Sequence, residues 1–132
     1  CVFYIQKLKN FWKKIIVKLN LRMVQMLIEV QKRYNCVCLT NNFPNEFQDH
    51  KENKFNQIKS NFEIIFESSK LKCRKPEKEI YQIVLNTLNV KPDELLFIDD
   101  LGINLKPARE FGIVTYKFIN TKDAINFLDK EL

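Results

Sequence analysis

Apolar residues along this chain recur with two periods. Met23, Met26, Leu27, Val30 and Tyr34 fall at spacings of three and four, which predicts a helix from about Asn20 to Tyr34. Cys36–Leu39 is a short unbroken apolar run and predicts a buried strand. Residues 46–60 are polar with Phe47, Phe55 and Ile58 and predict a surface helix, and Phe62–Phe66 reads as a strand. Pro76 suits a first helical turn, and Ile80, Tyr81, Val84, Leu85 and Leu88 give the next helix a broad apolar face. Leu95–Ile98 predicts a strand, and Asn104–Phe111 a short helix with Pro107 in its first turn and Gly112 just past its end. Ile113–Lys117 is a further strand, and Thr121 caps a last helix carrying Ile125 and Leu128. Helices alternating with short apolar strands define an α/β fold with a parallel sheet.

The first twenty residues stand apart. Ile5, Leu8, Trp12, Ile15 and Leu19 recur at helical spacing between lysines, which predicts a helix packed on the rest of the protein. A helix lying on a membrane surface is the minor reading. Lys7, Lys9, Lys13, Lys14 and Lys18 lie here with no acid, and they account for most of the net charge of +6. The remaining 17 basic and 16 acidic residues nearly cancel, so the domain carries no nucleic-acid footprint.

Composition narrows the class. A length of 132 residues suits one domain, and 45% hydrophobic residues suffice for a core. No apolar run reaches the roughly 20 residues of a membrane span. Cysteines at 1, 36, 38 and 73 form no Cys-x-x-Cys pair, and His50 is the single histidine, so zinc is not indicated. Cys36 and Cys38 should share one face of a strand, and the expectation is reduced thiols and a cytoplasmic location.

The candidate chemistry lies at segment ends. Phe97-Ile98 runs into Asp99-Asp100, then Leu101-Gly102 and a helix start. Adjacent carboxylates repel, and a cation or a lysine beside them relieves this. In α/β sheets ligands bind outside the carboxyl ends of strands, where this pair falls. Thr40-Asn41-Asn42 ends an earlier strand, and Arg74-Lys75-Pro76 opens a helix.

A hydroxyl, a lysine and a carboxylate pair in this order resemble motifs II, III and IV of the haloacid dehalogenase (HAD) superfamily. The blocks are Leu39-Thr40-Asn41-Asn42, Arg74-Lys75-Pro76 with Glu79-Ile80-Tyr81, and Phe97-Ile98-Asp99-Asp100-Leu101-Gly102 with Asn104-Leu105-Lys106-Pro107-Ala108-Arg109. The likeness is closest to the N-terminal phosphatase domain of soluble epoxide hydrolases and to the HAD domains of acyl-CoA dehydrogenase relatives. It implies a Rossmannoid three-layer sandwich and hydrolysis of small phosphomonoesters through an aspartyl-phosphate, with Mg²⁺. Thr40 and Asn41 would bind phosphate, and Lys75 would pair with phosphate and carboxylates. Asp99 would support Lys75 or the waters of the metal, Asp100 would reach the metal, and Asn104 would stand behind it.

One part of the family pattern is missing. The first aspartate is Asp49, after motif II, so the Asp-x-Asp of motif I is absent. The motif I strand belongs mid-sheet, between the strands ending at Thr40 and Asp99. The sheet is thus expected to be incomplete there, with residues 1–20 a remnant of a helical cap or linker, residues 21–132 the HAD-like core, and the strand upstream. The alternative is that Cys1–Ile5 fills the slot in a non-catalytic HAD-like binding or scaffold module. Further domains could lie on either side. Two turns also lack an expected glycine, at Lys72 and near Tyr34-Asn35.

Overall fold

The computed structural model describes residues 14–17, 23–42 and 59–131, with side chains from Met26 to Lys130 within these ranges. Five strands form one sheet: β1 Lys14–Val17, β2 Cys36–Thr40, β3 Ile64–Glu67, β4 Leu95–Asp99 and β5 Val114–Lys117. The order is β3-β2-β1-β4-β5, and every pairing is parallel. Among the described residues the α-helices are α1 Met23–Val30, α2 Ser68–Leu71, α3 Lys78–Leu88, α4 Gly102–Glu110 and α5 Thr121–Glu131.

Both faces of the sheet are covered, so its central strands are apolar on both sides. Cys36, Cys38, Leu96 and Ile98 point to one face with Met26, Leu27 and Val30 of α1 and Ala124 and Leu128 of α5. Val37, Leu39, Leu95 and Phe97 point to the other, against Ile80, Tyr81, Val84 and Leu88 of α3 and Leu105 and Ala108 of α4. The alternation is the period-two geometry of a strand. It builds the expected three-layer α/β sandwich.

The sheet is not incomplete between β2 and β4, as the missing motif I strand leads one to expect: the slot is filled from within the chain, and Cys1–Ile5, the alternative occupant, lies outside the described residues. β1 pairs with Cys36 and Val37 on one side and with Leu95–Ile98 on the other. Lys14–Val17 is therefore a strand, where the helical spacing of residues 1–20 points to a helix. Ile15, Ile16 and Val17 are β-branched and suit a pleat. Pairing on both edges also satisfies backbone groups that β2 and β4 would otherwise leave open mid-sheet. The expected surface helix at 46–60 lies outside the described residues, apart from a single 3₁₀ turn at Lys59–Asn61.

Several ends differ from expectation. Helix α4 begins at Gly102, which leaves Pro107 as its sixth residue rather than in its first turn. Pro76 lies before α3, joined to Lys75 by a cis peptide bond. Asn120, not Thr121, caps α5: its Oδ1 accepts from the Asp123 amide at 2.9 Å. An asparagine carbonyl one residue earlier reaches the amide that a cap must satisfy. The Gly112 expectation holds, with φ +83 and a pair of capping bonds from Gly112 N to Arg109 O and from Ile113 N to Ala108 O. Lys72 takes the left-handed conformation, φ 59, that glycine would adopt more easily, whereas Asn35 does not. Cys36 and Cys73 are buried free thiols, but Cys38 is disulfide-bonded, so the reduced reading holds for the first two alone.

Candidate active site

The sheet brings three separated segments to one edge. Thr40 ends β2 and Asp99 ends β4, on either side of β1, and both side chains are buried. Lys75 arrives from the loop before α3 and is itself buried. Its Nζ donates to Asp99 Oδ2 at 3.1 Å and to Leu39 O at 3.1 Å. A lysine and an aspartate with side chains 2% and 0% exposed survive burial only as a hydrogen-bonded pair.

The pair sits in a wider network. Asp99 Oδ2 also accepts from Asn104 Nδ2 at 3.0 Å, and Asp99 Oδ1 accepts from the Leu101 amide at 2.8 Å. Three donors thus converge on one buried carboxylate. The loop from β4 to α4 folds back on its own aspartate because the Leu101 amide lies two residues on, the reach of an Asx turn. Tyr81 of α3 anchors the other side: its hydroxyl donates to Asn104 O at 2.7 Å, and its ring meets Phe97 edge-on at 5.6 Å. Burial, then the negative charge of Asp99, pushes the Tyr81 phenol well above its ordinary range, so it stays a neutral donor.

Asn41 works on the backbone. Its Nδ2 donates to Lys75 O at 2.9 Å and its Oδ1 accepts from Lys75 N at 2.9 Å. An amide side chain matches a peptide group, so Asn41 clamps the Lys75 segment to the end of β2. The side chain is directed at that segment rather than held open for phosphate. Asn42 makes a second latch: its amide donates to Ser68 Oγ at 2.9 Å, its Nδ2 donates to Glu67 Oε2 at 3.0 Å and its Oδ1 accepts from Ser69 Oγ at 3.2 Å.

The six expected residues therefore gather around the ends of β2 and β4, with different degrees of engagement. Lys75, Asp99 and Asn104 form one bonded unit, and Asn104 turns to Asp99 rather than outward. Asp100 is half-buried at the mouth. Tyr81 and Asn42 fall within the motif blocks, but the sequence assigns them no role. Their partners are distant in the sequence, so only an asparagine at a strand end and a tyrosine on an apolar helix face could have hinted at them.

Mg²⁺ prefers six oxygen ligands in octahedral array. Among the described residues no cluster of three metal-ligating side chains occurs. Asp99 already accepts from three donors, which leaves Asp100 as the more open carboxylate. The described residues do not make a Mg²⁺ site by themselves.

The comparisons with known proteins agree with this geometry. Residues 2–118 match the haloacid dehalogenase-like hydrolase family. The chain belongs to the haloacid dehalogenase-like hydrolases. It is 36% identical over 115 residues to bifunctional epoxide hydrolase 2 of Mus musculus, covering 85% of this chain and 21% of that protein. Acyl-CoA dehydrogenase family member 10 of Mus musculus is 32% identical over 108 residues, covering 81% of this chain and 10% of its own length. A HAD family enzyme of Bacteroides thetaiotaomicron, solved as its magnesium complex, superposes with a TM-score of 0.67 at 29% identity, over 80% of this chain and 55% of that one. The same enzyme has been solved with magnesium and inorganic phosphate. The chain thus spans about a fifth of the epoxide hydrolases it matches. No helix among the described residues is long and apolar enough to cross a membrane.

Proposed function

We propose that this chain is part of a HAD-type phosphomonoester phosphatase whose nucleophile comes from an upstream segment. The observation that carries this is the buried Lys75–Asp99 pair near Thr40, at the carboxyl ends of two parallel strands that flank β1. Replacing a buried ion pair by apolar residues is often neutral or stabilising, so stability alone is a weak reason for a charged pair there. A lysine held at the mouth of a parallel sheet suits an anionic ligand.

In this reading residues 21–132 are the core, and a strand ending in Asp-x-Asp takes the central position held here by Lys14–Val17. The first of those aspartates would attack phosphorus and expel the alcohol, and the second would give the alcohol its proton. Water would then cleave the acyl phosphate and release inorganic phosphate. Thr40 would hydrogen-bond the transferring phosphoryl oxygens. Lys75, held between Leu39 O and Asp99, would offer positive charge to the same group. Asp100 would join the upstream carboxylate around Mg²⁺, which would neutralise phosphate charge. The incomplete donor set supports the view that the isolated chain is catalytically silent.

A second reading rests on one observation, that β1 closes the sheet and carries no carboxylate. On that reading the domain is a non-catalytic HAD-like binding or scaffold module.

The test is hydrolysis of p-nitrophenyl phosphate with and without Mg²⁺, by the isolated chain and by a version extended to include the upstream sequence. The expected result is turnover by the extended protein, lost in Asp100→Ala, and none by the chain alone. Mg²⁺-dependent turnover by the isolated chain, abolished by the same substitution, would sink the proposal.

A further inference from the structure

A pocket of about 220 Å³ opens beside the Lys75 segment, lined in part by Asn41, Ser69, Lys72, Cys73, Arg74 and Glu77. Water occupies about 30 Å³ per molecule in the liquid, so the space would take roughly seven waters or a small charged group with a few carbons. The proposed reaction uses none of these side chains, and Asn41 forms the wall between pocket and site through its two bonds to the Lys75 backbone.

The charge of the lining is unbalanced. Lys72 and Arg74 bring two cations against the single carboxylate of Glu77. No described residue pairs with the Lys72 ammonium or the Arg74 guanidinium, whereas Lys32, Arg33, Lys70, Lys75 and Lys78 all have acidic partners. Glu77 Oε2 meets the main-chain amide of Arg74 at 3.3 Å and leaves the guanidinium fork unengaged. Cys73 adds no charge: burial first, then Glu79 and Glu77, pushes its thiol up, so it stays protonated. The hydroxyl of Ser69 donates to Asn42 Oδ1 at 3.2 Å, so the charge offered to the pocket comes from Lys72 and Arg74. Lys72 also holds a left-handed backbone at this rim, a conformation that a glycine would hold at less cost.

We infer that this pocket binds a second anionic group of the substrate, so the preferred phosphomonoester carries another phosphate or carboxylate a few bonds from the scissile one. The guanidinium of Arg74 offers a planar fork matched to such groups, and Lys72 adds a point charge. The inference rests on the phosphatase reading for its meaning, since that reading places the scissile phosphate at Thr40 and Lys75 on the other side of Asn41.

The experiment is a titration of the ¹⁵N-labelled chain with inorganic phosphate, followed residue by residue. The expected result is saturable shifts of the Ser69, Lys72 and Arg74 amides, weakened about tenfold in Lys72→Ala/Arg74→Ala. Both side chains are exposed, so the fold should tolerate their loss. Glu77→Gln removes the opposing carboxylate and should tighten the same binding. Shifts at Thr40 and Leu101 report the catalytic side separately. Pocket shifts that persist unchanged in the double variant, or an absence of pocket shifts while Thr40 responds, would overturn the inference. Shifts confined to the pocket would support its anion site and count against the phosphatase reading.

Discussion

Replacing Lys75 by methionine isolates the cost of the buried pair. Methionine keeps the length and most of the apolar stem but removes the ammonium. Asp99, 0% exposed, would lose one of its three donors and, among the described residues, its one countercharge within bonding distance. Leu39 O would lose its ammonium donor as well. Removing one member of a buried ion pair costs about 3–5 kcal/mol, because the other is stranded. That is a large share of the roughly 5–15 kcal/mol that holds a typical domain together. Asp99→Asn should cost a similar amount by stranding Lys75. The double variant Lys75→Met/Asp99→Asn strands neither charge, so its loss should fall short of the sum of the singles by about 1–3 kcal/mol. Urea denaturation followed by far-ultraviolet circular dichroism measures all four proteins. A Lys75→Met loss below about 1 kcal/mol, or strictly additive singles, would refute the reasoning that the pair is desolvated and coupled.

Other expectations follow from the same geometry. Tyr81→Phe removes the bond to Asn104 O from a fully buried site and should cost about 1–3 kcal/mol in the same denaturation assay, with the fold retained. Lys72→Gly should raise stability by up to about 1 kcal/mol, since the left-handed backbone suits glycine better, and an unchanged or lowered midpoint would count against that conformation. Cys36, Cys73 and Tyr81 are all raised by burial, so the folded state holds their protons more tightly than the unfolded chain. Their contribution is fully present below the ordinary thiol range and is lost as pH climbs above about 8.5, which a series of alkaline melts should record as a falling midpoint. Glu110 should titrate below the ordinary carboxylate range because Lys78 donates to it, and Lys78→Ala should return it, as carboxyl NMR can read.

The parts of this fold that local chemistry dictates are legible in the sequence. Cys36–Leu39 and Leu95–Ile98 are apolar on both faces, and only a sheet covered on both sides asks for that. Gly112 is readable because a helix end and a left-handed residue coincide there. Thr40, Lys75 and Asp99 are readable from their order and their places at segment ends. Lys14–Val17 is not, because its residues satisfy two templates at once. Leu8, Trp12, Ile15 and Leu19 fit a helix face, while the run Ile15, Ile16 and Val17 fits a short strand. Vacant pairing partners on β2 and β4 decide between them, and those are tertiary. The roles of Asn41, Asn42 and Tyr81 are equally out of reach, since their partners lie 23 to 34 residues away. Pro107 misleads by itself: a proline marks a first turn only when the helix does not already begin at an upstream glycine.

The central claim is that the catalytic carboxylate lies outside this chain while its supporting residues lie within it. The most direct measurement is the sequence of the source transcript upstream of the codon for Cys1. The account predicts an open frame encoding a short apolar strand that ends in Asp-x-Asp. A start codon immediately before Cys1, with no such strand, would contradict it and leave Thr40, Lys75 and Asp100 as parts of a non-catalytic domain.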